Sequence, residues 1–190
     1  EGSVNETYDR LLSSKAKVAG ELNLRIVHNL LALKEVQINE IKQVYSHPQA
    51  LAQCRLFIEN NGFEPIPNFD TAGSARFIKE KMLKNSAAIA SENAVEIYGL
   101  NILARSIADN SMNYTRFFLL SNNDTKPTSN DKTSIIFSTK HIPGSLFESL
   151  EQFALRGINL VRIESRPTKE TPWEYFFYVD FEGHRLDATC

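Results

Sequence analysis

The sequence predicts an α/β protein built in two successive parts. Residues 18–107 alternate short apolar strands with amphipathic helices. Residues 122–131 are polar, with Pro127 set among Asn, Ser, Thr and Asp, and read as a linker. A different pattern then begins, strand-helix-strand-strand, and runs to Cys190. Strands alternating with helices at the spacing of the first part predict a mostly parallel, covered sheet.

Each element has a local reason. Asn5 caps a helix over residues 5–14, whose stripe is Tyr8, Leu11 and Leu12. Residues 18–33 are mostly extended, since Glu21, Asn23 and Arg25 alternate with Leu22, Leu24 and Ile26. A short helix or turn followed by a strand is expected over 38–45. Pro48 suits the first turn of a helix capped by Ser46 or His47. That helical pattern continues to Asn60, where Asn61-Gly62 ends it. Residues 64–68 are extended. Asp70 or Thr71 caps the next helix, with Ala75, Ile78 and Met82 facing inward. Residues 87–91 form a buried-type strand, residues 92–98 a helix closed by Gly99, and residues 102–107 a further extended stretch. In the second part, residues 133–139 form a strand, and Pro143-Gly144-Ser145 lead into a helix with Leu146, Phe147, Leu150, Phe153 and Ala154 at helical spacing. Residues 158–163 form a strand, and Arg166-Pro167-Thr168 start a loop. Residues 173–181 alternate as a strand, with Tyr175, Phe177, Val179 and Phe181 on one face.

Bulk properties exclude several function classes. A chain of 190 residues, 42% hydrophobic and 23% charged, can bury an ordinary globular core in one or two domains. Its 21 basic and 23 acidic residues leave a net charge of -2, so no bulk electrostatic attraction to nucleic acid is expected. No apolar run approaches the roughly 20 residues of a membrane helix. Cys54 and Cys190 make no disulfide framework; Cys54 lies in a helical apolar pattern and reads as a small buried hydrophobe. The compartment is therefore expected to be reducing and cytoplasmic. His28, His47, His141 and His184 lack metal-ligand spacing, and no glycine-rich phosphate loop is present.

The chemistry-bearing stretch is residues 107–120. A polar loop with Asp109, Asn110, Ser111 and Asn113 runs into an apolar strand, residues 117–120, with Thr115 and Arg116 expected at the join. A neutral hydroxyl beside a fixed cation at the mouth of a strand suits an anionic substrate. If Thr115 begins a strand, it shares a face with Phe117 while Arg116 points the other way. Arg116 then either pairs with a structural carboxylate or, where the backbone bends, reaches the substrate. Upstream, Ser46, Gln49 and Gln53 line one side of a helix start. Neutral donors at helix starts after strands suit an anion too.

These blocks together resemble prephenate dehydratase along the whole chain. Thr115-Arg116-Phe117 resembles that family's Thr-Arg-Phe signature. Ser46-His47-Pro48-Gln49-Ala50-Leu51-Ala52-Gln53-Cys54 and Thr71-Ala72-Gly73 resemble two further family blocks in the family's order. Gly144-Ser145-Leu146-Phe147-Glu148 and Glu164-Ser165-Arg166-Pro167 resemble the two phenylalanine-binding motifs of its regulatory ACT domain.

The resemblance implies a fold, an activity and an organisation. Residues 1–121 would be the catalytic domain, mostly the second lobe of a two-lobed fold like periplasmic binding proteins, with most of the first lobe absent. Residues 122–131 would be a linker. Residues 132–190 would be a ferredoxin-like (βαββαβ) ACT domain lacking its last helix and strand. The chain then reads as a piece of a longer enzyme that folds and binds without turning over substrate alone. The implied reaction converts prephenate to phenylpyruvate with loss of water and carbon dioxide. Thr115 is the implied catalytic residue, with Ser46, Gln53, Thr71, Arg116 and Phe117 binding substrate. No metal or organic cofactor is needed. Gly144, Ser145, Leu146, Glu164, Ser165, Arg166 and Pro167 would bind L-phenylalanine as effector, the second motif coming from a neighbouring subunit of a homodimer or homotetramer. Arogenate dehydratase, with the same motifs, and a non-catalytic amino-acid-binding module are the competing readings.

Overall fold

The computed structural model describes residues 5–128, 130–168 and 173–190. They group into two compact units: Leu22–Phe117, and a second that joins residues up to Glu21 with Phe118–Cys190.

The Leu22–Phe117 unit is a five-stranded sheet with helices. In chain order, helix α1 (Asn5–Ser13) and strand β1 (Lys17–Arg25) precede β2 (Asn29–Ala32) and a 3-10 turn at Ile38–Glu40. Then come β3 (Gln43–Ser46), α2 (Pro48–Gln53), α3 (Arg55–Asn60), β4 (Glu64–Pro67), α4 (Thr71–Glu80), β5 (Ser86–Ala90), α5 (Asn93–Tyr98), β6 (Asn101–Ala104) and β7 (Tyr114–Ser121). The sheet order is β4-β3-β5-β2-β6. Every residue of β2 and β5 is buried. Both strands read as continuous apolar or small runs because they are covered on two faces and lie inside the sheet.

The sheet is mixed rather than mostly parallel. Strand β3 runs parallel to β4 and β5, but β2 runs antiparallel to both β5 and β6. Local pattern cannot report the direction of a strand whose partners lie far away in sequence, as those of β2 do. The core is Leu30, Leu31, Leu33, Val36, Val44, Cys54, Ile78 and Ile89, all 4% exposed or less. Each large aliphatic side chain so buried stabilises by about 1.5–3 kcal/mol against an exposed one.

Two helix expectations fail for identifiable reasons. The stretch to Asn60 is not one helix, because Cys54 breaks it with φ -116 and ψ 21. The Asp109 carboxylate accepts the Leu56 N–H at 3.1 Å and so caps α3 from a distant segment. Met82, expected inward, is 53% exposed with φ 50, since α4 ends at Glu80 and position 82 has left its face. Ala75 and Ile78 are buried as expected.

The other unit carries β8 (Lys132–Ser138), α6 (Ser145–Leu155), β9 (Leu160–Pro167) and β10 (Tyr175–Glu182). Both ladders of the order β8-β10-β9 are antiparallel. Central β10 buries residues 178–181. Phe153 of α6 tilts against Phe181 at 5.6 Å, and Phe137 stacks on Phe177 at 5.5 Å. Phe147, expected in the apolar stripe of α6, is 68% exposed. Arg166 and Pro167 do not start a loop: they close β9, opposite Phe176 and Tyr175. Strands β1 and β7 pair as a two-stranded ribbon. Thr115 and Arg116 therefore lie inside β7, not at its join with the preceding loop, because cross-strand pairing extends the strand beyond its apolar residues.

Candidate functional site

The candidate catalytic residues all belong to the Leu22–Phe117 unit. Parallel strands β3 and β4 end side by side, Ser46 opposite Pro67. The backbone continues the pairing one residue further, with the Asn68 N–H donating to the Ser46 carbonyl at 2.8 Å. Helices α2 and α4 begin just beyond these strand ends, an arrangement that gathers helix starts at one end of a sheet.

Ser46 is fully buried, and its hydroxyl donates to the Ile89 carbonyl at 2.7 Å. Its proton thus ties β3 to β5, while the oxygen keeps acceptor capacity. The cap of α2 is His47, whose Nδ1 accepts the Gln49 N–H at 3.2 Å. Thr71 is the first residue of α4, half-buried, and the cap there is Asp70, which accepts the Gly73 N–H. A Cβ on Gly73 would stand 2.7 Å from the Asp70 carboxylate, so a larger residue there would make the cap side chain shift.

Gln53, at the end of α2, is half-buried and held by distant residues. Its Oε1 lies 2.7 Å from His28 Nε2 and accepts from Asn113 Nδ2 at 3.0 Å. Its carbonyl accepts the Asp109 N–H at 2.8 Å. The segment that supplies these groups is itself pinned to the start of β2. The Ile107 N–H donates to the His28 carbonyl at 2.9 Å, and the Ser106 N–H donates to Asn29 Oδ1 at 3.0 Å. Ser106 adopts φ 52 there, a left-handed turn that the Asn29 hydrogen bond supports.

Two residues after Asn113, Thr115 stands exposed on β7. Phe117, on the same face, is 50% exposed. Arg116 is half-buried on the opposite face, as strand alternation requires. Next to Gln53, the Cys54 thiol is pushed up to about 12 by burial, with the Asp109 carboxylate adding to the effect. It is no nucleophile at neutral pH.

Sequence reasoning singled out Ser46, Gln53, Thr71, Thr115, Arg116 and Phe117 in this unit, read Asp109 and Asn113 only as turn residues, and gave His28 no role. The last three act on Gln53 and Leu56 across wide sequence separations, and no local pattern records such contacts.

In the other unit, Gly144 adopts φ 89 and precedes α6. The Ser145 N–H donates to the Ile142 carbonyl at 3.3 Å, and the Glu148 N–H to the Gly144 carbonyl at 2.9 Å. A cavity of about 360 Å³ opens beside this turn, lined by Ile142, Ser145, Leu146, Tyr175 and Phe177 among others. Strand β9 splits the second expected effector motif by alternation. Ser165 and Pro167 pair with Phe177 and Tyr175, and so share the sheet face of those cavity residues. Glu164 and Arg166 lie on the opposite face, where Glu164 pairs with Arg162 and Arg166 with Asp9 at 2.9 Å.

Comparisons with known proteins bear on the family and the fold. The family model described as prephenate dehydratase matches residues 1–125. The bifunctional chorismate mutase/prephenate dehydratase of Aquifex aeolicus is 46% identical over 187 residues, covering 97% of this chain and 51% of the relative. The chloroplastic arogenate dehydratase/prephenate dehydratase 2 of Arabidopsis thaliana is 44% identical over 200 residues, covering 100% of this chain and 52% of the relative. The chain thus spans about half the length of these curated relatives. Among solved structures, the prephenate dehydratase of Arthrobacter aurescens in complex with L-Phe superposes with a TM-score of 0.87 at 36% identity, covering 99% of this chain and 63% of that one.

Proposed function

The chain belongs to the prephenate dehydratase family, and from that premise we propose that it carries the substrate-binding and catalytic residues for decarboxylating dehydration of prephenate to phenylpyruvate. The reaction expels carbon dioxide and the ring hydroxyl together. The C–CO2 bond breaks, its electron pair becomes part of the aromatic ring, and the C–OH bond breaks as hydroxide leaves and takes up a proton to become water. Aromatisation makes the step strongly downhill, so the site has to bind an anion, orient the ring and assist a poor leaving group. Thr115 assists by hydrogen bonding to the departing oxygen; a threonine hydroxyl is too weak an acid for full proton transfer, and its effect comes from being preorganised. Gln53 and Thr71 hydrogen-bond the substrate, Ser46 contributes as an acceptor, and Phe117 packs on the ring. Arg116 belongs to the same motif and balances charge from the other face of β7.

The observation that carries this reading is Thr115 exposed on β7 with Gln53 tied to the same segment through Asn113. In the full natural chain, Thr115→Val should lower kcat for phenylpyruvate formation by about 10²–10⁴-fold, the range for removal of one such donor. Thr115→Ser, which keeps the hydroxyl, should retain most of the rate. A Thr115→Val variant that turns over as the parent does would remove Thr115 from the chemistry, and a parent that binds prephenate without forming phenylpyruvate would mean that the protein only binds its ligand.

Arogenate is the second substrate to test, because the Arabidopsis relative is named for both dehydratase activities. Parallel assays with prephenate and arogenate decide between them. We further propose that residues 132–190 form an ACT-type regulatory domain that binds L-phenylalanine at Gly144–Leu146 and the 164–167 stretch, in a cytoplasmic homo-oligomer. The L-Phe complex of the Arthrobacter protein and the cavity beside Ser145 and Leu146 support this. Calorimetric titration with L-phenylalanine should give a heat that Gly144→Val abolishes.

A further inference from the structure

We infer that His28 is a positioning residue that fixes the amide orientation of Gln53; the inference rests on the reading of Gln53 as a substrate-binding side chain. A glutamine amide presents opposite polarity at its two corners, N–H donors on one and an acceptor oxygen on the other. Toward an anionic substrate one orientation attracts and the flipped one repels. A glutamine that is to bind an anion must therefore be prevented from flipping.

Two donors do this. His28 Nε2 lies 2.7 Å from Gln53 Oε1, and Asn113 Nδ2 donates to the same oxygen at 3.0 Å. Since Gln53 Oε1 can only accept, the 2.7 Å contact calls for the His28 tautomer with its proton on Nε2, and the two donors then fill both acceptor directions of that oxygen. The N–H2 corner of the amide is thereby turned away from His28 and Asn113. His28 is suited to this task. It is 5% exposed and immediately precedes β2, a strand buried throughout. Its own carbonyl accepts the Ile107 N–H, so ring and backbone are anchored separately. Reorienting Gln53 would strand a buried imidazole N–H and an amide N–H2 without an acceptor, which costs more than either hydrogen bond gains in net terms.

The test uses the full natural chain and two readouts. The first does not depend on turnover: line widths and hydrogen exchange of the Gln53 side-chain amide protons by NMR. His28→Leu should broaden those signals and speed their exchange, while His28→Gln, which keeps an N–H donor at the same reach, should leave them sharp. The second readout is a double-mutant cycle on phenylpyruvate formation. His28→Leu should lower kcat/KM by about tenfold, His28→Gln should restore it to within about threefold, and His28→Leu added to Gln53→Leu should cost no further factor beyond about twofold. Gln53 amide signals unchanged by His28→Leu, or the same loss from His28→Leu whether or not Gln53 is present, would overturn the assignment. If the parent makes no phenylpyruvate, the proposed activity fails while the amide signals still decide the role of His28. If His28→Leu does not fold, His28→Asn takes its place, because its shorter amide falls short of Gln53 and should behave as the leucine does.

Discussion

At the scale of single residues, Cys54 and Asp109 illustrate how position overrides residue type. Cys54 is fully buried and its thiol stands at about 12. Cys190 is exposed. A thiol reagent added to the native protein should label Cys190 and spare Cys54, and both should react in denaturant; peptide mass spectrometry gives the answer. Rapid native labelling of Cys54 would contradict its burial. The raised pKa has a further consequence with a definite sign. Unfolded Cys54 ionises near its ordinary value of 9.0 while the folded thiol does not until about 12, so folding stability falls as pH rises across that window. The residue types at Thr115, Gln53 and Ser46 were legible from sequence. That Ser46 donates into the core to Ile89, rather than capping a helix, was not, because a hydroxyl between an apolar strand pattern and a helix start fits both roles.

At the scale of elements, helix starts show the clearest local logic. Asp70 caps α4 and Gly73 gives it room. Asp70→Ala should destabilise the protein by about 1 kcal/mol, and Gly73→Ala should also destabilise because its Cβ displaces the cap carboxylate. Urea melts of the two variants and of the pair together test this; the double variant should lose less than the sum, since both act through one cap. Gly99, with φ 64, closes α5 as the sequence predicts. The break between α2 and α3 had no local cause to read. The group that satisfies the start of α3 after the break is Asp109, more than fifty positions downstream of Cys54.

At the scale of the molecule, remote stretches are stapled by charge. Lys17 on β1 and Arg185 near the C-terminus both donate to Asp124, and the Lys17 hydrogen bond spans 2.9 Å. The Lys17 bond first, and the Arg185 bond after it, hold the Asp124 carboxyl at about 2, below its ordinary value of 3.8. A depressed acid stabilises the fold above its unfolded pKa and loses that contribution as pH falls through its folded one. Asp124→Asn should therefore lower stability at pH 6, less at pH 4, and least near pH 2, and high salt should shrink the difference at pH 6 because the site faces solvent. Denaturant melts at the three pH values check it; an equal loss at every pH would assign the effect to packing instead.

Hydrophobic period, cap residues and turn residues by themselves determined the α/β class and most strands and helices, while the family was indicated by the resemblance of the chain's motifs. These signals are local: a strand alternates or runs apolar, and a helix start needs a side-chain acceptor, whatever lies elsewhere. Tertiary structure alone decided the antiparallel entry of β2 into the sheet, the capping of α3 by Asp109, the inclusion of Thr115 within β7, and the two donors that meet on Gln53 Oε1. Each of these joins residues that chain proximity does not bring together, and hydrogen-bond and packing partners across such distances are chosen by the closure of the whole fold.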